Sequence, residues 1–259
     1  MRFDVITLFP ELFEPFLAAG VTRRAYASGQ VSVRLWNPRD FAQGNYRRVD
    51  DRPFGGGPGM VMMIEPLERC LQAIRADRAN LAEPQQAPVV LFSPIGQVLN
   101  HPAVEQWAQS PGAILLCGRY EGIDQRFIDA HVDAQISLGD FVLSGGEIAA
   151  MALIDAVTRL QPGVLNDEGS HQFDSFNPAL DGLLDCPHYT RPEVWQPAEG
   201  AAPMPVPDVL LSGHHAHIER WRRDERLRIT AQHRPELIVA AREAGLLNAK
   251  DEAALVRNS

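Results

Sequence analysis

The chain has 259 residues, of which 45% are apolar and 22% charged, and its formal net charge is −9. This composition is ordinary for a globular protein in water, and no apolar run reaches the length of about eighteen residues that predicts a membrane span. The three cysteines have no regular spacing and predict no disulfide framework, and the N-terminal MRFDVITLFPELF lacks the features of a secretory signal. We therefore expect a cytoplasmic protein without membrane association.

Strand-like and helix-like segments alternate through the first 165 residues. Runs rich in Val, Ile, Leu and Phe predict strands at FDVITLF, VSVRLW, PVVLFS, AILLCG and ISLGDFVL. Helical patterns lie between them, at PELFEPFLAAG, IEPLERCLQAIRA, HPAVEQWAQ, GIDQRFIDAHV and GEIAAMALIDAVTRL. This alternation predicts an α/β fold with a mostly parallel sheet and helices on both of its faces.

The composition of the chain changes after Leu160. A polar stretch, PGVLNDEGSHQFDSFNPALDG, is typical of an exposed linker. The proline-rich segment that follows it is not expected to be regular, because proline removes a backbone donor and restricts the chain. The last fifty residues predict three short helices, at HHAHIERWRRDERLRITAQH, PELIVAAREAG and DEAALVRN.

Glycines interrupt two apolar runs between Ile114 and Glu147. The first run stops at Gly118, and the second breaks at a set of three glycines, Gly139, Gly145 and Gly146. Bare backbone of this kind can approach a small ligand closely, and charged side chains stand beside it at Arg119, Glu121, Asp124, Asp140 and Glu147. Because ligands bind at the carboxyl ends of parallel strands, these loops and SPIG (Ser93–Gly96) predict a small-molecule site.

Several other motifs leave more than one interpretation open. The glycine-rich DDRPFGGGPGM is either a loop that closes over a ligand or a mobile surface connection, and it matches neither a phosphate loop nor GxGxxG. Asp155 and Arg159 have the spacing of an ordinary surface ion pair on a helix. By itself, Asp174 in the polar stretch is most simply a solvated carboxylate.

Positive charge is concentrated near the C-terminus of this acidic chain. Six arginines and only two acids lie between Arg220 and Arg234, which favours a selective RNA contact over general polyanion binding. His214, His215 and His217 border this segment, but their irregular spacing does not predict a zinc site.

Seven of the motifs occur together, in the same order, in one known family. They are VDDRPFGGGPGM, CGRYEGID, SLGDFVLSGGE, LIDAVTR, DSF, GLLDCPHYTRPEVW and LLSGHHAHIERWR. Over nearly its whole length, the chain resembles bacterial tRNA (guanine-N1)-methyltransferases of the TrmD type. The resemblance implies a SPOUT-class domain with a C-terminal trefoil knot that binds S-adenosylmethionine at 1–164, a flexible linker at 165–175 and a small α-helical tRNA-binding domain at 176–259.

The resemblance also assigns the cofactor loops. The matching positions are Pro94, Gly96, Tyr120, Gly122, Leu138, Gly139, Phe141, Leu143, Gly145 and Gly146. Many relatives are expected to carry tyrosine at position 141 and threonine at position 144, where this chain has Phe141 and Ser144. The change at position 141 puts a side-chain hydroxyl contact in doubt, but not the pocket.

The activity implied is methylation of N1 of the guanosine at tRNA position 37, by a homodimer with active sites at its interface. Asp174, from the partner subunit, would be the general base, Arg159 would stabilise charge on O6, and Glu121 would position the base or a metal ion. Mg²⁺ is associated with catalysis in this family, at a position that the sequence does not identify. The arginine-rich helix would contact the tRNA backbone through Arg220, Arg222, Arg223 and Arg226.

The residues themselves leave two other functions open. One is a non-catalytic RNA-binding protein in which the glycine loops are only turns. The other is a different knotted RNA methyltransferase, which acts on ribosomal RNA or on a ribose hydroxyl; the DSF and GLLDCPHYTRP motifs argue against it.

Overall fold

A computed structural model describes residues 1–81, 86–165 and 171–257. The chain divides into two compact units, Met1–Asn166 and Asp167–Ser259. Most of the first half of the linker expected at 165–175 lies outside the described residues, because these omit 166–170. In the part of the chain that is described, no helix is both long enough and apolar enough to cross a membrane.

Nine strands are present in the described residues. They are β1 (Arg2–Ile6), β2 (Ser32–Trp36), β3 (Asp50–Asp51), β4 (Val61–Met62), β5 (Val89–Val98), β6 (Ile114–Leu116), β7 (Ala134–Ser137), β8 (Val194–Trp195) and β9 (Met204–Pro205). Five of them form one parallel sheet in the order β2-β1-β6-β5-β7. The prediction of an α/β fold with a mostly parallel sheet is confirmed.

The helices of the first unit follow the predicted order. They are α1 (Phe13–Ala18), α2 (Arg23–Ala27), α3 (Ile64–Ala79), α4 (His101–Ala108), α5 (Gln125–His131) and α6 (Glu147–Arg159). Their apolar residues recur at helical spacing, as in α3, where Leu67, Leu71 and Ile74 are buried.

Two core clusters cover the two faces of the sheet. Leu115 of β6 packs in one cluster with Leu153 of α6, and the adjacent Leu116 packs in the other with Leu71 of α3. Successive side chains of a strand point to opposite faces, so α6 and α3 lie on opposite sides of the sheet. This explains why the central strands are apolar throughout rather than alternating.

A buried network of charged side chains surrounds Asp4 of β1. The carboxylate of Asp4 is fully buried in β1 and accepts hydrogen bonds from Arg78 Nε at 2.6 Å, Arg2 Nη2 at 2.6 Å and Trp36 Nε1 at 2.8 Å. A charge without water is tolerated only when it is paired and hydrogen-bonded, and Asp4 meets both conditions.

One predicted strand is too long. ISLGDFVL is a strand only as far as Ser137, where β7 ends. Gly139 has a φ of +141°, and its N–H donates to Ser137 Oγ at 3.1 Å, so the backbone turns away from the sheet. The apolar side chains after it belong to a loop instead of a buried strand.

The second unit contains the three predicted helices, α8 (His215–His233), α9 (Pro235–Glu243) and α10 (Ala249–Arg257), preceded by the short α7 (Asp208–Leu211). Their core contains Leu183, Leu227, Ile238, Ala241, Ala254 and Leu255. The proline-rich segment at 183–207 was expected to be irregular, but it contains the antiparallel pair β8–β9, and α7 begins directly after it.

Candidate active site

A cavity of about 400 Å³ opens beyond the strands of the parallel sheet. Most of its lining comes from three segments: 91–95 within β5, 118–125 after β6, and 135–146, which begins in β7. This is the edge at which α/β sheets bind ligands, because helix-flanked parallel strands leave a crevice outside their carboxyl ends. Its volume is within the range of about 300–1,000 Å³ typical of small-molecule sites.

Nearly all of the residues expected to bind the cofactor line this cavity. They are Pro94, Tyr120, Gly122, Leu138, Gly139, Phe141, Leu143, Gly145 and Gly146. The side chains of Ile95, Phe141 and Val142 are largely exposed at the cavity, which leaves apolar surface available to a ligand or a second chain.

Gly96, the remaining cofactor candidate, is not part of the lining. A Cβ at this position would lie 2.5 Å from the backbone nitrogen of Ile136. Phe92 and Gln97 both pair with Ile136, so residues 93–96 leave the sheet and return to it as a loop. Gly96 therefore permits the close approach of β5 and β7 that shapes this loop.

Arg119 and Glu147 form an ion pair beneath the cavity that sequence reasoning did not assign. Arg119 Nη2 lies 2.9 Å from Glu147 Oε2, and Arg119 Nη1 donates to the carbonyl of Ser144 at 3.1 Å. Glu147 is buried and accepts a hydrogen bond from Thr7 Oγ1 at 2.8 Å, and the guanidinium stands 4.4 Å from the ring centre of Phe9. One pair thus connects β1 with two cavity loops.

Gly145 fits directly against this ion pair. A Cβ at position 145 would lie 2.2 Å from Arg119 Nε, so only glycine leaves room for the guanidinium. The signal for the pair was present in the sequence, where charged residues stand beside the glycines. The spacing alone did not say which charges meet.

The glycine-rich loop between β3 and β4 is attached to the cavity at one end. Met62 N–H donates to Gly122 O at 2.9 Å, and Glu121 N–H donates to Met60 O at 3.0 Å. The tip of the loop carries Phe54, which is 99% exposed. This position beside the cavity favours the ligand-closing interpretation over that of a remote surface connection.

Tyr120 lines the cavity and also contacts Arg39, which precedes β3 in the chain. It has a left-handed backbone conformation, with φ +60°, and its hydroxyl lies 3.5 Å from Arg39 Nη2. Burial, followed by the negative charge of Asp50, raises the pKa of Tyr120 above its ordinary value. The side chain is therefore a neutral hydrogen-bonding group at physiological pH.

Of the expected catalytic residues that belong to the first unit, Glu121 lines the cavity and Arg159 does not. Arg159 ends α6, which begins at Glu147 near the cavity, so the two residues are about 18 Å apart along the helix. Asp174 lies in the second unit, where its carbonyl accepts the N–H of Asn177 at 3.2 Å. Asp185 N–H donates to Ser175 Oγ at 2.9 Å, which attaches this part of the expected linker to its own unit.

The expected RNA-binding arginines are largely paired within the second unit. Arg220 and Arg223 both contact the buried Asp251, at 2.9 and 3.1 Å. Burial alone would raise the pKa of Asp251, but hydrogen bonds from Arg223, the Asn248 N–H and Arg220 outweigh it and hold the pKa below its ordinary value.

The other two expected RNA-binding arginines, Arg222 and Arg226, differ in their exposure. Arg226 is nearly covered and lies 3.4 Å from Asp185, whereas Arg222 is exposed and pairs with the exposed Glu219. Much of the arginine charge of α8 therefore holds the second unit together, and Arg222 is the best placed of the four to meet RNA.

Within residues 1–81, 86–165 and 171–257, no three His, Cys, Asp or Glu side chains are grouped so that they could hold a metal ion. His214 and His217 stack on each other at 5.3 Å without such a group.

Comparison with known proteins agrees with the resemblance. Residues 1–240 match the family model described as tRNA (Guanine-1)-methyltransferase TrmD. The chain is 74% identical over 257 residues to a tRNA (guanine-N(1)-)-methyltransferase of Paracidovorax citrulli, with 99% of this chain and 98% of that protein covered. It is 72% identical over 255 residues to the protein of the same name from Polaromonas sp., with 98% and 96% covered.

Proposed function

Because the chain belongs to the tRNA (guanine-1)-methyltransferase TrmD family, it is an enzyme that methylates N1 of guanine in tRNA, and we propose that its target is the guanosine at position 37. We propose further that a guanosine must precede the target. The methyl donor of the family is S-adenosylmethionine.

The cavity at the carboxyl ends of β5, β6 and β7 is the proposed donor site. The observation that carries this proposal is that nine of the ten residues named by the resemblance converge on one cavity of about 400 Å³. Gly146 N–H donates to Gly118 O at 3.1 Å, which holds the last loop against the loop after β6. This close crossing supports the family's trefoil knot in this segment.

The donor, when bound, supplies a methyl group that is electrophilic because it is attached to a sulfonium. The guanine is the weaker partner, since its N1 carries a proton. We assign Asp174 as the general base that accepts this proton, which leaves negative charge shared between N1 and O6. Arg159 would stabilise that charge as it develops, and Glu121 would orient the base.

A homodimer with active sites at its interface would bring these groups together. Arg159 and the cavity belong to the same unit, but Arg159 lies about 18 Å along α6 from Glu147 and does not line the cavity. This position supports a site that a second copy completes. The exposed apolar side chains of Ile95 and Val142 at the cavity are suited to such an interface.

Mg²⁺ is the remaining expected component. The described residues do not fit a cage of protein ligands, since none of their acidic, His or Cys side chains form a group of three. Mg²⁺ commonly binds through one or two carboxylates, with waters and substrate phosphates. No step assigned above involves the ion.

Methyl transfer to unmodified tRNA transcripts tests the proposal. Transcripts with guanosine at positions 36 and 37 should accept one methyl group on N1 of the second guanine, whereas adenosine at position 37 should abolish transfer. Transfer that survives this replacement, or that modifies a ribose hydroxyl, would support a different knotted methyltransferase. A protein that binds tRNA but shows no saturable heat with S-adenosylmethionine would be a non-catalytic RNA-binding protein.

A further inference from the structure

A second cavity, of about 480 Å³, lies entirely within the second unit. Residues within 187–193 form one wall, and Val206, Leu210 and Leu211 form another. The third wall is α8, which contributes Ile218, Trp221 and Arg222. These three residues have the spacing i, i+3, i+4 and share one face of the helix.

The cavity contains an aromatic pair with accessible surface. The rings of Tyr189 and Trp221 have their centres 6.1 Å apart, at an interplanar angle of 59°. Tyr189 is 48% exposed, which is unusual for a ring that only fills a core. Tilted rings around a cavity offer π faces to a third flat group, and unstacked nucleobases are recognised in this way.

Positive charge lies beside these rings. Arg191 and Arg222 both line the cavity and are exposed, against a single lining acid, Glu193. Within the described residues Arg222 forms one ion pair, with the exposed Glu219, and such surface pairs are weak and screened by salt. Among the residues that the structure describes, no carboxylate pairs with Arg191.

Three other arginines of α8 differ from Arg222 because carboxylates within the unit pair with them. Arg220, Arg223 and Arg226 are engaged by acidic side chains of their own unit. The cations that remain available therefore converge on the aromatic cavity instead of being spread along the helix. A group that is flat at one end and anionic at the other matches this combination, and a nucleotide has that form.

We propose that this cavity is an additional tRNA subsite, which takes one unstacked nucleotide. Its base stacks against Tyr189 and Trp221, and its phosphate lies between Arg191 and Arg222. The proposal rests on the proposed function, and it deepens it by naming a contact separate from the donor cavity. The subsite contributes to docking of tRNA and has no part in the methyl transfer itself.

Steady-state methylation of a tRNA transcript with four full-length variants tests the proposal. Tyr189→Leu removes the ring and should raise KM for tRNA about tenfold, while kcat at saturating tRNA and the Kd for S-adenosylmethionine stay within twofold of wild type. Tyr189→Phe keeps the ring and should retain wild-type KM, since stacking does not need the hydroxyl.

Arg191→Gln tests the phosphate contact, with Arg257→Gln as a control of equal charge change in the same unit. Arg257 is exposed, and its Nε donates to the carbonyl of Ala253 in its own helix. Arg191→Gln should reduce the slope of log Kd for tRNA against log salt concentration by about 0.7, the value for one contact to a single strand, and Arg257→Gln should not. Thermal unfolding establishes that each variant is folded. If Tyr189→Leu is unfolded, the comparison of Arg191→Gln with Arg257→Gln tests the subsite.

Two results would overturn the subsite. They are tRNA affinities of folded Tyr189→Leu and Arg191→Gln within twofold of wild type, or equal salt slopes for Arg191→Gln and Arg257→Gln. Failure of the proposed function is a different result, since the wild-type enzyme would then transfer no methyl group to N1 of guanosine 37.

Discussion

Glu147 and Arg119 form an ion pair that joins the two glycine-containing loops of the proposed donor cavity. The carboxylate is 1% exposed and lies 2.9 Å from the guanidinium, which also holds the carbonyl of Ser144. Glu147 begins α6 and Arg119 follows β6, so the pair fixes the position of a loop from each side. The donor cavity therefore depends on a buried charge pair as well as on bare backbone.

Removing both members of this pair should cost less than the sum of the two single removals. Glu147→Ala leaves the covered guanidinium without its carboxylate and should destabilise the protein by about 3–5 kcal/mol. The Glu147→Ala/Arg119→Ala double variant should be less destabilised than the sum of the single variants by at least about 1 kcal/mol. Urea unfolding of the four proteins measures this coupling, and additive effects would contradict it.

Gly145 should be intolerant of even one methyl group. Its Cβ would lie 2.2 Å from Arg119 Nε, so Gly145→Ala displaces the guanidinium and the loop that it holds. We expect the Kd for S-adenosylmethionine to rise at least tenfold. Gly118→Ala is the matched control, because the nearest atom to its Cβ would be Ile123 Cδ1 at an ordinary 3.6 Å. Calorimetric titration compares the two, and equal affinities would refute this role of Gly145.

Mixing two inactive variants tests whether the site is shared between subunits. Gly145→Ala weakens donor binding and Asp174→Ala removes the proposed base, so each alone should be nearly inactive when the S-adenosylmethionine concentration is well below the Kd of Gly145→Ala. If Asp174 acts on the partner's cavity, a mixed dimer contains one intact site. An equal mixture after subunit exchange should regain up to about a quarter of wild-type activity, as expected for random pairing in a two-fold dimer.

The matched control for this experiment is Asp174→Ala mixed with itself, which contains no intact site in either arrangement. Activity that does not return in the Gly145→Ala/Asp174→Ala mixture, although mass analysis detects the mixed dimer, would mean that Asp174 serves the cavity of its own chain. Calorimetry should also show that Asp174→Ala binds S-adenosylmethionine nearly as tightly as wild type.

Asp4 should be required for stability and not for chemistry. Its buried carboxylate accepts hydrogen bonds from Arg2, Arg78 and Trp36, so Asp4→Ala removes the acceptor that two guanidinium groups and an indole N–H share. The free energy of unfolding should fall by about 3–5 kcal/mol. The exposed carboxylate of Asp129 is the control, and Asp129→Ala should change it by no more than about 0.5 kcal/mol. Urea unfolding measures both.

The sequence by itself determined the five strands of the parallel sheet and five of the six described α-helices of the first unit, but not α2, β3 or β4. Buried parallel strands are continuous apolar runs and longer helices show a 3.6-residue apolar stripe, whereas those three elements, of two to five residues each, are too short for either pattern. The sequence also identified loops that line the proposed donor cavity, since glycines cluster where strands end. The pattern failed at ISLGDFVL, where apolar residues continue past Ser137 into a loop whose conformation depends on Gly139.

Only the tertiary structure decided which charges meet. Arg223 and Asp251 are 28 positions apart, and nothing in their local sequence indicates that they pair. An arginine-rich helix has the same composition whether its cations face RNA or neighbouring carboxylates. The same limit applies to Gly96, which meets the backbone of Ile136, and to the aromatic cavity of Tyr189 and Trp221. Periodicity reports which face of an element is apolar, whereas pairing depends on distances between elements that the chain brings together only when it folds.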